Sequence, residues 1–493
     1  MPGRVVLFFP SYYSDEAAPP LALIHLAAPL VDKGHEVKIV DSAVTPDSVA
    51  AVLREAEKAL VFGISMVTGP MITQGVAVAK AVRARYPKLP IVVGGWHASI
   101  LPEQTLRAPY VDAVVKGQGE LTFLEIVERY KGGERDLGGI PGSLYKKDGS
   151  AVWNPDRGYT DINALPKRPF DLVDFEPYAR RCEGTRWILY CTSHGCPWDC
   201  SYCSNASVYG RNWKPLLPET AVAEIAELTK RHRLHVVDII DDNYLVRRDR
   251  SIEIAERLIQ EDLGVAYYIQ TRTDQIDRFS DPELLTLSRS GLRRIFFGLE
   301  SGSNKVMRSV NKRLDLETAY RTAERCRRAG IRPSFNLIFG LPAEEEEDLR
   351  DTIAVVDRIG KANPEADFFT NIFSPYPGSP IWPQAVELGV REPQSLEEWA
   401  AFYPKIQVLP WLQGRKHARI QRIRDYIRMG YSARQMVIQP KTGWKGFAER
   451  TLRRMARFRL RSLAISFPFE VWALKAYKAW RAWRRVPAAA VIN

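Results

Sequence analysis

The chain has 493 residues, of which 45% are hydrophobic and 26% are charged, so it is a globular protein of two or three domains. It contains no run of about 18 apolar residues and starts without the features of a secretory signal, which argues against a membrane-spanning helix and favours the cytoplasm. Residues 441–493 hold 13 lysines and arginines but only two acids, and they account for nearly all of the net charge of +12. This local basic element argues against a general nucleic-acid-binding surface.

Residues 1–132 alternate strand-like and helical patterns, which predicts a Rossmann-like α/β domain with helices on both faces of a parallel sheet. Strands are predicted at Arg4–Phe9, Val37–Asp41, Ala59–Ser65, Ile91–Val93 and Val111–Lys116, and helices at Leu21–Lys33, Pro46–Lys58, Ile72–Arg85 and Glu120–Tyr130. Ligands of such domains bind beyond the carboxyl ends of the strands. The candidate ligand-binding residues at those ends are Ser65, Thr68, Gly94, Gly95, Gly117 and Glu120.

Residues 133–186 are rich in glycine and proline, which predicts a linker that contains a short hairpin around Lys146–Gly149. Residues 187–395 then form a second alternating series, with strands predicted at Trp187–Cys191, Val236–Ile240, Ala266–Thr271, Arg294–Leu299, Pro333–Phe339 and Phe368–Phe373. Sites in parallel barrels lie at the carboxyl ends of the strands. The candidate residues there are Asp241, Asp242, Arg272, Glu300, Ser301 and Gly340.

The first strand of this second series leads into three cysteines, Cys196, Cys200 and Cys203, spaced C-x3-C-x2-C. Three thiolates can hold one corner of a [4Fe–4S] cluster, which usually takes four cysteines, so one iron is left open for a substrate. The alternatives are a zinc site or three unrelated thiols. Zinc usually requires paired C-x2-C units and a fourth ligand, and no second C-x2-C unit is present.

The cysteine motif resembles that of the radical S-adenosylmethionine (SAM) superfamily, whose fold is a partial (β/α)6 barrel. The resemblance implies that the open iron chelates the amino and carboxylate groups of SAM, and that one electron then cleaves the sulfonium to give a 5′-deoxyadenosyl radical. It also implies adenine contacts near Tyr202 and Gly340, and SAM contacts from Glu300, with Ser301 beside it. Asp241 or Asp242 takes the position that meets the SAM ammonium, or else caps a helix. Arg272 pairs either with the SAM carboxylate or with Asp274.

The first domain resembles the cobalamin-binding domain that precedes many radical SAM enzymes. The matching pieces are Gly63–Ser65, Gly94–His97 and Gly117–Glu120. Glycines 94 and 95 allow close approach of a ligand, although a glycine pair also suits a plain turn. The Asp-x-His-x-x-Gly motif that supplies a histidine to cobalt is absent from the loop after strand one. For His97, a hydrogen-bonding or plain surface role is expected rather than a bond to cobalt.

Residues 396–493 lose the strand pattern and predict helices. Leu474, Tyr477, Trp480 and Trp483 recur every three residues beside lysines and arginines. This pattern favours contact with an anionic membrane surface, and the alternative is a helix packed on the barrel with a solvated basic side.

The whole arrangement resembles B12-binding radical SAM enzymes such as hopanoid C-2 methylase and anaerobic magnesium-protoporphyrin monomethyl ester cyclase. It implies three cofactors (a [4Fe–4S] cluster, SAM and cobalamin) and an electron donor such as flavodoxin or ferredoxin. We expect a methyltransferase that acts on an unactivated carbon of a hydrophobic or membrane-associated substrate, such as a lipid, isoprenoid or tetrapyrrole. The alternatives are an oxidative cyclase or ring-rearranging enzyme, and a cobalamin- or redox-sensing protein.

Overall fold

The computed structural model describes residues 3–11, 18–182, 185–402, 409–431, 443–473 and residue 476. Its first sheet has seven strands in the order β2-β1-β3-β4-β5-β6-β7. Strands β1 to β5 run parallel, and the last two continue the sheet in antiparallel fashion. The strands are β1 Arg4–Phe9, β2 Glu36–Asp41, β3 Ala59–Ser65, β4 Ile91–Gly94, β5 Ala113–Val115, β6 Ser143–Lys147 and β7 Ser150–Trp153.

Helices cover both faces of this sheet, because its central strands are apolar on both sides. Val5, Val6, Leu7 and Phe8 of β1 are all fully buried, as expected for a parallel strand between two helical layers. The helices are α1 Leu21–Asp32, α2 Ser48–Ala56, α3 Pro70–Arg85, α4 Trp96–Ile100, α5 Pro102–Arg107 and α6 Glu120–Lys131. Helices α1 and α6 share one apolar core, and α2 and α3 share the other.

The hairpin of β6 and β7 lies within the segment that the sequence predicts to be a linker. Its strand β6 pairs antiparallel with β5, so residues 143–153 extend the first sheet rather than connect two domains. The reason is that Leu144 and Tyr145 are apolar and become buried against the sheet. The remainder of the segment is largely irregular and runs towards the second sheet.

The second sheet has the order β16-β15-β14-β13-β12-β9-β8. Six of its strands are parallel and form the half-barrel, and β8 adds an antiparallel edge. The strands are β8 Arg180–Cys182, β9 Thr185–Tyr190, β12 Val236–Ile239, β13 Ala266–Arg272, β14 Leu292–Glu300, β15 Arg332–Phe339 and β16 Asp367–Ile372. A separate hairpin of β10 (Ser193–Gly195) and β11 (Trp213–Pro215) brackets the cysteine segment. The predicted α/β class and six-stranded half-barrel are confirmed.

Helices alternate with the strands of the half-barrel and pack on its outer face in one continuous core. They are α8 Pro218–His232, α9 Arg248–Glu261, α10 Asp281–Arg289, α11 Asn304–Ser309, α12 Leu316–Ala329 and α13 Glu346–Ala362. Two short helices, α7 Asn205–Tyr209 and α14 Trp382–Glu387, lie outside this core. Cys326 is fully buried in α12, where it packs as an apolar side chain.

The chain then returns to the first domain, and two long helices follow. Trp382, Leu396 and Trp399 are buried in the core that α2 and α3 share, and the Tyr110 hydroxyl donates to Glu397 at 2.9 Å. Helix α15 (Gly414–Gly430) covers β16, the edge strand of the half-barrel, and α16 (Gly443–Arg461) packs against α15. The predicted helical character of the C-terminal region is confirmed for these residues.

Among the described helices, none is both long and apolar enough to cross a bilayer. Leu474, Tyr477, Trp480 and Trp483, on which the predicted membrane contact depends, lie outside the described residues.

Candidate functional site

The cysteine segment lies just beyond the carboxyl end of β9, between the strands of the β10–β11 hairpin. Cys200 is buried, Cys196 and Cys203 are half-buried, and none of the three forms a disulfide. Burial raises the pKa of Cys203 to about 12, so a bound metal centre is needed to hold this sulfur as a thiolate at neutral pH. Sulfur donors of this kind fit an iron–sulfur cluster.

Within the described residues, no group of three or more His, Cys, Asp or Glu side chains is placed to hold a single metal ion. A zinc site needs its ligands to converge on one point. Three sulfurs that each bind a different iron have no such requirement.

Asp241 anchors the backbone that leads into the cysteines. Its carboxylate is fully buried and accepts four hydrogen bonds, from the amides of Thr192 (2.6 Å) and Ser193 (3.1 Å) and from their hydroxyls (2.6 and 2.7 Å). Its acceptor capacity is thus used within the protein, and neither it nor Asp242 caps the helical turns that follow.

Asp242 has a different environment from its neighbour. Its carboxylate accepts from the Gly195 amide at 3.1 Å, and the residue is exposed to solvent. The surrounding protein nevertheless desolvates the group and raises the pKa of Asp242 to about 6. Of the two aspartates, Asp242 is the one that a ligand can reach.

Glu300 belongs to a buried cluster of three polar side chains at the end of β14. Glu300 Oε1 accepts from Tyr202 Oη and from Lys312 Nζ, both at 2.9 Å, and Lys312 Nζ lies 3.0 Å from Tyr202 Oη. Glu300 has a φ of 66°, a strained conformation for a residue with a side chain. Sequence reasoning missed Lys312, because nothing in the chain signals that a lysine 12 residues later folds back onto Glu300.

Arg272 adopts one of its two predicted roles, since its guanidinium pairs with Asp274 at 2.9 Å. The same group stacks over Trp198 and places Nη1 3.8 Å from Cys200 Sγ. Ser301 is buried away from the cleft, where its hydroxyl accepts from the Ser303 amide at 3.1 Å. It therefore supports the loop after β14 rather than facing a ligand.

Gly340 lies at the end of β15 with a φ of 85°, where a Cβ would come within 2.5 Å of Leu412. Its amide donates to Glu344 Oε2 at 2.6 Å, and its carbonyl accepts from Trp411 Nε1 at 2.9 Å. Burial raises the pKa of Glu344 to about 7. The segment before α15 thus packs directly on the turn that the sequence assigns to adenine.

A cavity of about 1130 Å³ opens at the mouth of the half-barrel beside this cluster. Its walls combine apolar side chains with a polar face that α15 supplies. The lining residues include Tyr202, Cys203, Glu300, Asn336, Ile338, Asn371, Ile372, Phe373, Leu409, Leu412, His417, Gln421, Arg424 and Arg428.

A second cavity of about 280 Å³ lies between the two domains. The first domain contributes five of the six predicted strand-end residues, and the barrel side contributes residues that flank the cysteines. Its lining includes Ser65, Gly94, Gly95, Gly117, Glu120, His194, Tyr209, Asn212 and Lys214.

The glycines of the lining and one carboxylate oxygen without a hydrogen-bond partner make this second cavity suitable for cobalamin. Gly95 has a φ of 90°, and a Cβ there would come within 2.7 Å of the Met66 carbonyl oxygen. Glu120 lines the cavity, and its Oε2 is buried without a hydrogen-bond partner. Such an atom fits a ligand that bears amide or hydroxyl donors.

Thr68, the sixth predicted residue, lies outside the lining of this cavity. It is buried, and its hydroxyl lies 2.9 Å from His97 Nδ1. His97 is itself fully buried, which excludes the surface role considered above, and burial lowers its pKa to about 3. Thr68 and His97 therefore join the segments that follow β3 and β4, on the buried side away from the cavity.

A buried network beside the second cavity joins the two domains. Arg168 donates to Glu224 from Nε at 3.1 Å and approaches His25 Nε2 at 2.7 Å, and His25 Nδ1 lies 2.9 Å from His194 Nε2. Tyr190 donates to Glu224 at 2.6 Å. Burial and the adjacent Arg168 lower the pKa of His25 well below its usual value, so the ring is neutral.

Comparison with known proteins identifies both domains. Residues 190–356 match the radical SAM superfamily, and residues 14–127 match the B12 binding domain. An uncharacterized methyltransferase of Pyrococcus horikoshii is 27% identical over 420 residues, which cover 84% of this chain and 87% of that protein. The hopanoid C-3 methylase of Methylococcus capsulatus is 27% identical over 84% of this chain and 78% of its own length.

A further relative is the anaerobic magnesium-protoporphyrin IX monomethyl ester cyclase of Rubrivivax gelatinosus, which is 29% identical over 71% of this chain and 64% of its own length. Among solved structures, the cobalamin-dependent SAM radical enzyme OxsB, with aqua-cobalamin and SAM bound, aligns with a TM-score of 0.75 at 16% identity. This alignment covers 98% of this chain and 75% of that one.

Proposed function

Because the chain is a radical SAM enzyme with a B12-binding domain, we propose that it transfers a methyl group from SAM to an unactivated carbon of a hydrophobic or membrane-associated substrate. One observation carries the proposal. The short segment from Cys203 to Tyr209 borders both cavities, since Cys203 lines the barrel mouth and Tyr209 lines the cavity between the domains. A cluster, SAM and cobalamin held at these places would share one reaction space.

The residues that would hold the three cofactors come from both sheets. Cys196, Cys200 and Cys203 would bind the cluster. Tyr202, Asp242, Glu300 and Gly340 would contact SAM, while Asp241 and Arg272 would position the cysteine segment. Ser65, Gly94, Gly95, Gly117 and Glu120 would cradle cobalamin. When bound, the cluster supplies the electron that cleaves SAM, and cobalamin supplies a carrier for the methyl group.

The buried contacts around the cysteines would keep this site in a fixed geometry. Lys312 and Tyr202 both hold Glu300 Oε1, which leaves the carboxylate little freedom to rotate. Arg272 lies against Cys200 and places a positive charge beside the cluster position. A cation there favours electron uptake by the cluster, for which we propose flavodoxin or ferredoxin as the donor.

The apolar part of the barrel-mouth cavity supports a hydrophobic substrate. Ile338, Ile372, Phe373, Leu409 and Leu412 contribute to its walls. Two relatives are named for a hopanoid and a tetrapyrrole, which are large apolar molecules. A lipid, isoprenoid or tetrapyrrole therefore fits the proposed reaction.

The proposal is tested with anaerobically reconstituted enzyme, cobalamin, a reductant and SAM that carries a deuterated methyl group. Lipid extracts of a strain that lacks the protein supply the substrate, and mass spectrometry follows the label. We expect a labelled product together with S-adenosylhomocysteine and 5′-deoxyadenosine. The cyclase alternative, favoured by one relative, predicts 5′-deoxyadenosine with no labelled product. A sensor would form neither nucleoside.

We also propose that α16 contacts an anionic membrane. Phe447, Arg450, Arg454, Phe458 and Arg461 follow one another at spacings of three and four residues, so they share one face of the helix. Both phenylalanines on this face are more than half exposed, while Ala456 and Leu460 on the opposite face are buried. An exposed face of aromatic and basic side chains suits the lipid headgroup region.

Point substitutions test this contact more sharply than removal of residues 441–493, which would also remove buried parts of α16. We expect Phe447→Ser with Phe458→Ser to lower sedimentation with phosphatidylglycerol vesicles several-fold. The control is Leu285→Ser with Leu388→Ser, which removes two exposed apolar side chains elsewhere. Equal sedimentation of wild type and both variants would rule out the contact.

A further inference from the structure

The polar face of the barrel-mouth cavity contains two arginines that form no salt bridge with a carboxylate of the described residues. Arg424 and Arg428 are one turn apart on α15. No carboxylate of the described residues lies within 4.0 Å of either guanidinium, although most other arginines of the half-barrel are ion-paired. Burial and, to a smaller extent, the adjacent Arg428 lower the pKa of Arg424 to about 10, and the neighbouring Asp425 carboxylate offsets part of this shift.

Both arginines contact the edge strand of the half-barrel. Arg424 donates to the Thr370 carbonyl from Nη2 at 2.8 Å and from Nε at 3.2 Å, and Arg428 donates to the same oxygen at 3.0 Å. Arg424 also donates from Nη1 to Gln421 Oε1 at 2.8 Å, whereas the Thr370 carbonyl is the acceptor that Arg428 shares with Arg424. One shared carbonyl oxygen leaves most donors of Arg428 unused. Arg428 is exposed, so its remaining donors are available to a molecule in the cavity.

We infer that Arg424 and Arg428 bind an oxyanion of the substrate, a phosphate or a carboxylate, which makes the substrate an amphiphile with an acidic head group. Two adjacent guanidinium groups match the paired oxygens of such groups. Ile338, Ile372 and Phe373 in the same cavity would then receive the apolar part. This inference rests on the proposed function, because it assumes that the cavity holds the substrate.

The position of the arginines favours the substrate over SAM as the source of the anion. They lie against β16, at one edge of the parallel sheet, whereas the cysteine segment follows β9 near the other edge, although Cys203 lines the same cavity. The carboxylate of SAM is assigned to the open iron beside those cysteines. Arg424 and Arg428 are therefore available to an anion other than the SAM carboxylate.

The test measures anion binding to the full-length reconstituted enzyme with SAM already bound. Inorganic pyrophosphate and succinate serve as the phosphate and carboxylate probes in isothermal titration calorimetry. The test variant is Arg424→Gln with Arg428→Gln. The matched control, Arg54→Gln with Arg107→Gln, removes the same charge from two arginines that are 72% and 75% exposed on the first domain.

We expect at least one probe to bind wild type and control equally, and the test variant to bind it at least about tenfold more weakly. SAM affinity and cluster content should stay within about twofold in all samples. Unchanged anion binding in the test variant, or a parallel loss of SAM affinity, overturns the inference. Arg424→Lys with Arg428→Lys keeps the charges and should retain part of the binding, which separates loss of the site from loss of the fold. Because SAM affinity and 5′-deoxyadenosine are measured on the same samples, failure of the proposed function is seen independently.

Discussion

Asp241 and Asp242 are adjacent in the chain, yet their surroundings give them different tasks. Asp241 fixes the start of the cysteine segment through four buried hydrogen bonds, whereas Asp242 is exposed to solvent. A sequence pattern assigns both to the same position and cannot separate them. Burial and the hydrogen-bond partners decide which of them can reach SAM.

Alanine substitutions should separate these two roles. Asp241→Ala leaves several buried donors without an acceptor and should lower the free energy of unfolding by about 2–4 kcal/mol. Asp242→Ala should change that free energy by less than about 1 kcal/mol while weakening SAM binding about tenfold. Urea unfolding and calorimetry measure the two effects. Equal destabilisation by both substitutions would contradict this division.

Alanine at Cys196, Cys200 or Cys203 should abolish cluster assembly, because each sulfur is expected to bind a different iron. Iron content and absorbance near 400 nm after reconstitution should fall to background in each variant. Cys326→Ala is the control, since that thiol is fully buried in α12 and should not affect iron content. Retention of a full cluster in any one of the three variants would show that its sulfur is not a ligand.

Glu344 should make stability depend on pH in a direction that its pKa sets. Burial raises this pKa from 4.5 to about 7, so the carboxyl group is protonated in the folded protein where it is ionised in the unfolded chain. Its contribution to stability is therefore full below pH 4.5 and is lost as the pH rises towards 7. Between about pH 5 and 8, wild type should lose about 2–3 kcal/mol more than Glu344→Gln. Parallel pH curves for the two proteins would contradict the assignment.

At the scale of elements, the strands could be predicted from the sequence because parallel strands that are buried on both faces appear as apolar runs. The cysteine motif could also be found, since all three ligands lie within one short segment. The hairpin around Lys146–Gly149 was also predicted, but its pairing with β5 was not, because its strands are short and partly polar. The contact of α15 with β16 was not predictable, since it joins Thr370 to side chains 54 and 58 residues away.

The loop after β4 should depend on glycine for cobalamin binding. Gly95→Ala adds a Cβ at a φ of 90° and within 2.7 Å of the Met66 carbonyl oxygen, so the loop must move. We expect cobalamin content after reconstitution and desalting to fall by about tenfold or more. Gly139→Ala, also at positive φ but with open space around it, should cost about 1 kcal/mol of stability and leave cobalamin content unchanged. Normal cobalamin content in the Gly95 variant would show that cobalamin binding does not depend on glycine at this position.

At the scale of the whole molecule, the two domains are joined by contacts between residues far apart in the chain. Arg168 lies 143 residues from His25 and 56 residues from Glu224. Local patterns carry no information about such pairs, so sequence reasoning predicted both domains but not how they meet. The contact between Lys312 and Glu300 could not be predicted for the same reason, because only the folded structure brings these two residues together.

Arg168→Leu should uncouple the domains, because it leaves Glu224 charged and unpaired in a buried interface. The expected cost is about 3–5 kcal/mol, and calorimetry should show two thermal transitions in place of one. Arg231→Leu removes an exposed pair with Asp171 and should shift stability by less than about 1 kcal/mol. A single unshifted transition in the Arg168 variant would show that the network does not couple the domains.

The central claim is that three cysteines hold a cluster with one iron open to SAM. Mössbauer spectroscopy of protein reconstituted with 57Fe, before and after addition of SAM, tests it directly. We predict that the spectrum of one iron of the four changes when SAM binds, while the other three stay the same. Four irons that do not respond to SAM, or protein that takes up zinc instead of a cluster, would contradict the account.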